Sequence, residues 1–158
     1  MGREYAITFA PTAVTTAVDL FEVIPAANKP VKIHAVYIGQ TTEVGDAQEE
    51  MLAVEIHRGG TAMTSGAGGA AATPVPLDPS DAAAGAVAEV LNTTLATFTG
   101  GVVLHRDAFN VRSGWQWIPP PEDRPTITAA NGGFVVRLPS APVDSITFIG
   151  TLVIEEIG

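Results

Sequence analysis

Apolar and polar residues alternate with a period of two along most of this chain, the pattern of strands with one buried face. In EYAITF, Tyr5, Ile7 and Phe9 share a face. MLAVEIHR sets Leu52, Val54 and Ile56 against Ala53, Glu55 and His57, and FVVRL aligns Phe134, Val136 and Leu138 behind the turn signal NGG. TAVDLFEVI (16–24), VKIHAVYIG (31–39) and GVVLHR (101–106) add three more strands. FNVRSGWQWI (109–118) predicts a strand with Phe109, Val111, Trp115 and Trp117 on one face. DSITFIGTLVIEEI (144–157) closes the chain as a long strand, apolar on both faces for much of its length.

Eight strands without interleaved amphipathic helices predict an all-β fold, a two-sheet antiparallel sandwich in one domain spanning 1–158. The strand count favours an eight-stranded jelly roll. An immunoglobulin-like sandwich is the near alternative, although the Cys–Trp–Cys signature of antibody domains is missing. Residues 59–86 break the alternation and read as a long Gly/Ala/Pro-rich insertion loop, far longer than a hairpin connection. Such a loop needs a surface to lie against, and a neighbouring subunit is the expected one. From Ser80 or Asp81 as N-cap, AAAGAVAEVL fits a short helix, while AVAEVL fits a strand equally well.

Composition narrows the classes of partner. With 46% apolar and 16% charged residues, the chain of 158 can bury a core of its own. Absence of cysteine removes disulfides and thiolate metal sites. A net charge of −9, with eight basic residues spread along the chain, argues against nucleic acid. No apolar stretch approaches membrane-spanning length, so no membrane partner is expected. MGREYAITFA lacks a signal-peptide core, and Ala6 stands where myristoylation favours Ser or Thr.

Candidate chemistry is sparse. His34, His57 and His105 fall on separate strands without the His-x-His pair of a cupin-type metal site, so no metal and no cofactor are expected. GAGGAA (66–71) matches a loose dinucleotide fingerprint, but TPVP follows where a helix is required. Glu43, Asp46, Glu49 and Glu50 cluster in the 41–50 connection, where solvated acids are a better reading than a calcium loop. NTT (92–94) is a glycosylation sequon in form only. Glu55, Asp107 and Glu122 could act as paired hydrolytic carboxylates only if the fold made two of them converge. No catalytic constellation emerges, and the chain reads as a non-enzyme.

SGWQWIPPPEDRP (113–125) carries both tryptophans and four prolines. Trp115 and Trp117 point to one face, either into the core or out as a platform for sugars or proteins. Ile118, Pro119, Pro120 and Pro121 then form a stiff exit, with Glu122, Asp123 and Arg124 placing charge at its tip. These nine residues are the candidate partner-binding set.

The run HRDAFNVRSGWQWIPPPEDRPTI…FVVRLPSAPVDSITFIGTLVIEEIG, with TPVPLDPSD upstream and KPVKIHAVYIGQ more loosely, resembles small structural proteins of tailed bacteriophages, some of which decorate the capsid as cement subunits. That resemblance implies a place on the virion's capsid exterior, the major capsid protein as partner, and self-association, by analogy as a homotrimer. A carbohydrate- or receptor-binding module of a phage tail is the alternative, with Trp115 and Trp117 stacking on sugar rings.

Overall fold

The computed structural model of the protein describes residues 2–42 and 50–158. The strands are β1 (Arg3–Val14), β2 (Val18–Ile24), β3 (Val31–Gln40), β4 (Met51–Arg58), β5 (Ala62–Thr64), β6 (Ala70–Ala72), β7 (Val75–Pro76), β8 (Val87–Asn92), β9 (Thr97–Thr99), β10 (Val102–Asn110), β11 (Trp115–Trp117), β12 (Thr126–Ile127), β13 (Phe134–Leu138) and β14 (Ile146–Glu156). The fold is all-β, with antiparallel sheets in a sandwich-like arrangement. Sheet 1 runs β11-β3-β14-β1-β7, with β12 also pairing β3, and sheet 2 runs β10-β4-β13-β2-β8-β6. A small pair, β5-β9, stands apart from both.

One continuous core joins the facing surfaces of the two sheets. Tyr5, Ile7, Ile33, Phe148, Leu152 and Ile154 from sheet 1 meet Phe21, Val23, Ile56, Phe134, Val136 and Leu138 from sheet 2, all fully buried. Each such side chain supplies about 2 kcal/mol of transfer free energy, which makes this layer the main stabilising term. The alternation in β4 holds as the sequence predicts, with Leu52, Val54 and Ile56 inside, and in β13 Phe134, Val136 and Leu138 face the core while Val135 is buried as well.

Two expectations change, and one open choice between helix and strand is settled. The strand predicted over 109–118 is broken: β10 ends at Asn110, the chain turns through Gly114 at φ 68°, and β11 begins in the other sheet. Alternation cannot reveal that crossing, because a residue in a left-handed turn keeps the apolar spacing while redirecting the chain. The 87–92 segment is strand β8, not helix, since it pairs with β2 and β6.

The 59–86 insertion is not one structureless loop but contains β5, β6 and β7. It lies against this chain itself: β6 extends sheet 2 beside β8, β7 extends sheet 1 beside β1, and β5 pairs β9. Its glycines serve close approach. A Cβ on Gly69 would stand 2.1 Å from the Val90 carbonyl oxygen, and one on Gly66 would stand 2.1 Å from that of Thr94. The Gly/Ala composition therefore lets a strand pack tightly on its neighbour.

Candidate functional site

Trp115 and Trp117 do share a face, and that face is the interior. Trp115 is 8% exposed, belongs to the core, and donates its indole N–H to Asp107 Oδ2 at 3.0 Å. That bond holds the Asp107 carboxyl below its usual range, with the Ala108 N–H assisting. Trp117 is half-buried against the core, and the His105 ring packs beside both indoles at 6.2 and 5.6 Å between centroids. An open platform for sugars on Trp115 is thereby excluded. The pair closes the sandwich between β10 and β11.

The proline segment is fastened at both ends rather than projecting. Trp115–Trp117 pairs with Val36–Ile38, and Thr126–Ile127 pairs with Val31–Lys32, so residues 118–125 bulge from one edge of β3. Pro119 is buried, while Ile118 (53% exposed), Pro120, Pro121, Glu122 and Asp123 face solvent. A 3-10 turn over Pro121–Asp123 shapes the tip. Arg124 turns back: its Nη1 lies 3.4 Å from both ring nitrogens of His34, and its Nε reaches the Pro119 carbonyl at 3.5 Å. His34 in turn meets Glu4 Oε1 at 3.1 Å and Glu155 Oε2 at 3.0 Å. Five exposed residues thus sit on a rigid base.

Next to this bulge, the outer face of sheet 1 forms an open groove of about 740 Å³. Cross-strand pairing lays Gln116, Tyr37, Thr151 and Thr8 in one row, with Gly39 and Ile149 in the next. Tyr37 is 40% and Ile149 is 37% exposed. Among the described residues no carboxylate, imidazole, lysine or arginine lines the groove; its side-chain polar groups include hydroxyls and the Gln116 amide. The second apolar face expected of the last strand is this one, with Ile149 and Val153 pointing away from the core.

The outer face of sheet 2 has the opposite character. Register places His57, Val135, Glu22 and Glu89 in one row and Glu55, Arg137, Asp19 and Asn92 in the next. Phe98 of β9 stacks on His57 at 5.5 Å and lies 5.6 Å from the Arg137 guanidinium. Beneath that cover Asp19 is fully buried, held by Arg137 Nε at 2.5 Å, Arg137 Nη2 at 3.0 Å and the Ala96 N–H at 2.6 Å. Glu22 Oε2 lies 2.6 Å from the Ser65 hydroxyl, its carboxyl accepts the Gly66 N–H, and burial pushes that carboxyl above the usual range. At the far end of the sandwich, buried Glu156 accepts from Lys29, Gly85 and Ala86 at 2.9, 2.8 and 2.8 Å.

Sequence reasoning passed over Asp19, Glu22, Arg137 and Glu156. One signal was present: acids inside otherwise apolar strands, which demand a partner if buried.

The remaining candidates do not converge. Glu55 lies opposite Arg106 in the ladder and Asp107 one residue on, so the two carboxylates point to opposite faces of sheet 2. Burial alone would raise the Glu55 carboxyl, but hydrogen bonds from Arg106 and His57 and their charges bring it below its usual range. Glu122 sits on the exposed bulge. Among the described residues, no three His, Cys, Asp or Glu side chains gather as a metal-binding group. Glu43, Asp46 and Glu49 lie outside the described residues, while Glu50 accepts the Val143 N–H at 2.8 Å. GAGGAA leads into strand β6, not a helix, and Asn92 of the NTT sequon is 1% exposed and bonded to Gly69. No helix among the described residues is long and apolar enough to cross a membrane.

A scan against models of known protein families, a search of curated proteins and a search of solved structures each found no match.

Proposed function

We propose that this chain is a non-enzymatic capsid decoration protein of a tailed bacteriophage, bound to the outer shell through the major capsid protein as a homotrimer. The observation that carries the reading is the uncharged groove on the outer face of sheet 1, with the exposed Ile118–Asp123 bulge rising from the β3 edge of the same sheet. A chain with a net charge of −9 that keeps this groove free of charged side chains, with Glu4, Lys32, His34 and Glu155 gathered at the other end of the face, presents a patch suited to burial against another protein.

The strand order supports reading the sandwich as an eight-stranded jelly roll. Its principal strands run β1, β14, β3, β11 in one sheet and β2, β13, β4, β10 in the other, each β1-to-β4 step changing sheets. The remaining strands, the six-residue β8 beside β2 among them, are then additions around that frame. The jelly roll is an architecture of viral shell domains, an analogy of fold and not of site. The mechanism would be mechanical: copies bridging neighbouring shell subunits bury the groove and bulge, so that rupture must break many contacts together.

Sedimentation of the purified protein with shells lacking it tests the reading. Saturable co-sedimentation, lost in a Tyr37→Asp, Ile149→Asp double variant that stays folded, is expected. No binding by the wild-type chain would overturn it. A tail carbohydrate-binding module is the second reading, favoured by the hydroxyls of Thr8, Thr151 and Ser113, the Gln116 amide and the Tyr37 ring around one groove. Saturation-transfer signals from neutral glycans, lost in Tyr37→Ala, would select it instead.

A further inference from the structure

We propose that Glu22, Ser65 and Glu89 form a proton-locked clasp, which fastens the insertion to sheet 2 at low pH and loosens it as the pH rises. The Ser65 Oγ stands 2.6 Å from Glu22 Oε2 and 3.0 Å from Glu89 Oε2. A hydroxyl carries one hydrogen and donates once. With both carboxylates ionised, one of these short contacts would set lone pair against lone pair.

A single proton held by the pair removes the conflict. Glu22, as the acid, donates to Ser65 Oγ, and Ser65 donates to Glu89 Oε2. Asn92 Nδ2 donates to the same Glu89 oxygen at 2.8 Å, and Asn92 Oδ1 accepts the Gly69 N–H at 3.0 Å. The Gly66 N–H, 3.1 Å from both Glu22 oxygens, is served by the carbonyl oxygen of the acid. Every donor in the chain then has an acceptor, from β2 through the insertion to β8.

The surroundings place the proton on Glu22, which is 1% exposed, whereas Glu89 is only half-buried. Burial raises the Glu22 carboxyl, against the hydrogen bonds from Ser65, Asn92 and Gly66, and the negative charge of Asp19 along β2 raises it further. Arg137 of β13 is bonded to Asp19 and Ala96. The folded state therefore binds a proton that the opened state releases. Its contribution is complete below the ordinary carboxylate range and is lost as pH rises through the raised value. Gly68, Gly69 and Ala70, which follow the clasp in the chain, wall a cleft of about 540 Å³ against Thr12–Thr16.

Amide hydrogen exchange of Gly66 and Gly69 in the full chain, corrected for intrinsic rates, reads the clasp directly. Protection should fall by up to about tenfold per pH unit above the ordinary carboxylate range, where the opened state has ionised and folded Glu22 has not, and level off past the raised folded value. Glu22→Gln keeps a donor toward Ser65 and an acceptor toward Gly66, so its protection should be flat over the same range. Carboxyl carbon NMR of the wild type gives a second reading that needs no variant. It should find Glu22 still protonated above the pH at which exposed glutamates have ionised. Glu22 ionised in the ordinary range, or wild-type protection independent of pH, would overturn the clasp.

Discussion

The two outer faces of the sandwich differ in what their strands present and in what covers them. On sheet 2 the rows His57–Val135–Glu22–Glu89 and Glu55–Arg137–Asp19–Asn92 are rich in charge, and the β5-β9 pair with Ser65 and Gly66 lies over them. On sheet 1 the row Gln116–Tyr37–Thr151–Thr8 is neutral and open. Burying polar and charged groups is costly unless each of their bonds is supplied, and here Arg137 and the Ala96 amide serve Asp19 while Ser65 and the Gly66 amide of the insertion serve Glu22. A neutral face needs no such fitted partner. It can wait for another molecule, which is why the open face and not the covered one is read as the docking surface.

The largest expected effect breaks the covered face. Arg137→Ala leaves Asp19 buried without its cation and should cost about 3–5 kcal/mol in urea unfolding. A loss under about 1 kcal/mol would mean that Asp19 reaches water and that the cover is not closed. Phe98→Ala strips the cover while leaving the ion pair, and should cost about 2 kcal/mol. Its His57 would become more accessible to diethyl pyrocarbonate, whereas unchanged labelling would place the ring elsewhere.

A smaller effect separates the faces by pH. Glu55 has its folded-state carboxyl lowered, so its contribution is present above the ordinary carboxylate range and lost as pH falls through the lowered value, opposite in sign to Glu22. Glu55→Gln should accordingly flatten the loss of stability on acidification, and Glu22→Gln should flatten the loss as pH rises out of the ordinary carboxylate range; identical pH profiles for the two variants would refute the contrast. Smallest of all, Tyr37→Ser or Ile149→Ser on the open face should shift monomer stability by about 0.5 kcal/mol or less. A larger loss in the isolated chain would show that sheet 1 already rests on something.

Much of the sandwich was legible because burial on one face imposes alternation, as in β4. Where a residue is added the phase slips. Strict alternation in VDLFEVI groups Asp19 with Phe21 and Val23, but the register shifts at Leu20, opposite Leu91 with its φ of 61°. That slip sets Asp19 and Glu22 on one outer face together. The tryptophans illustrate the same limit: spacing showed that they share a face, while the turn at Gly114 decided that the face is the core.

Local pattern alone determined the all-β class, the positions of most long strands and the inward residues within them, because these depend on neighbours two residues apart. The tertiary structure decided which acids are buried, what the Gly/Ala insertion lies against and which outer face stays open. Those depend on bulges, crossings and close backbone approaches between segments tens of residues apart, and solvation of a side chain is fixed only when such segments meet.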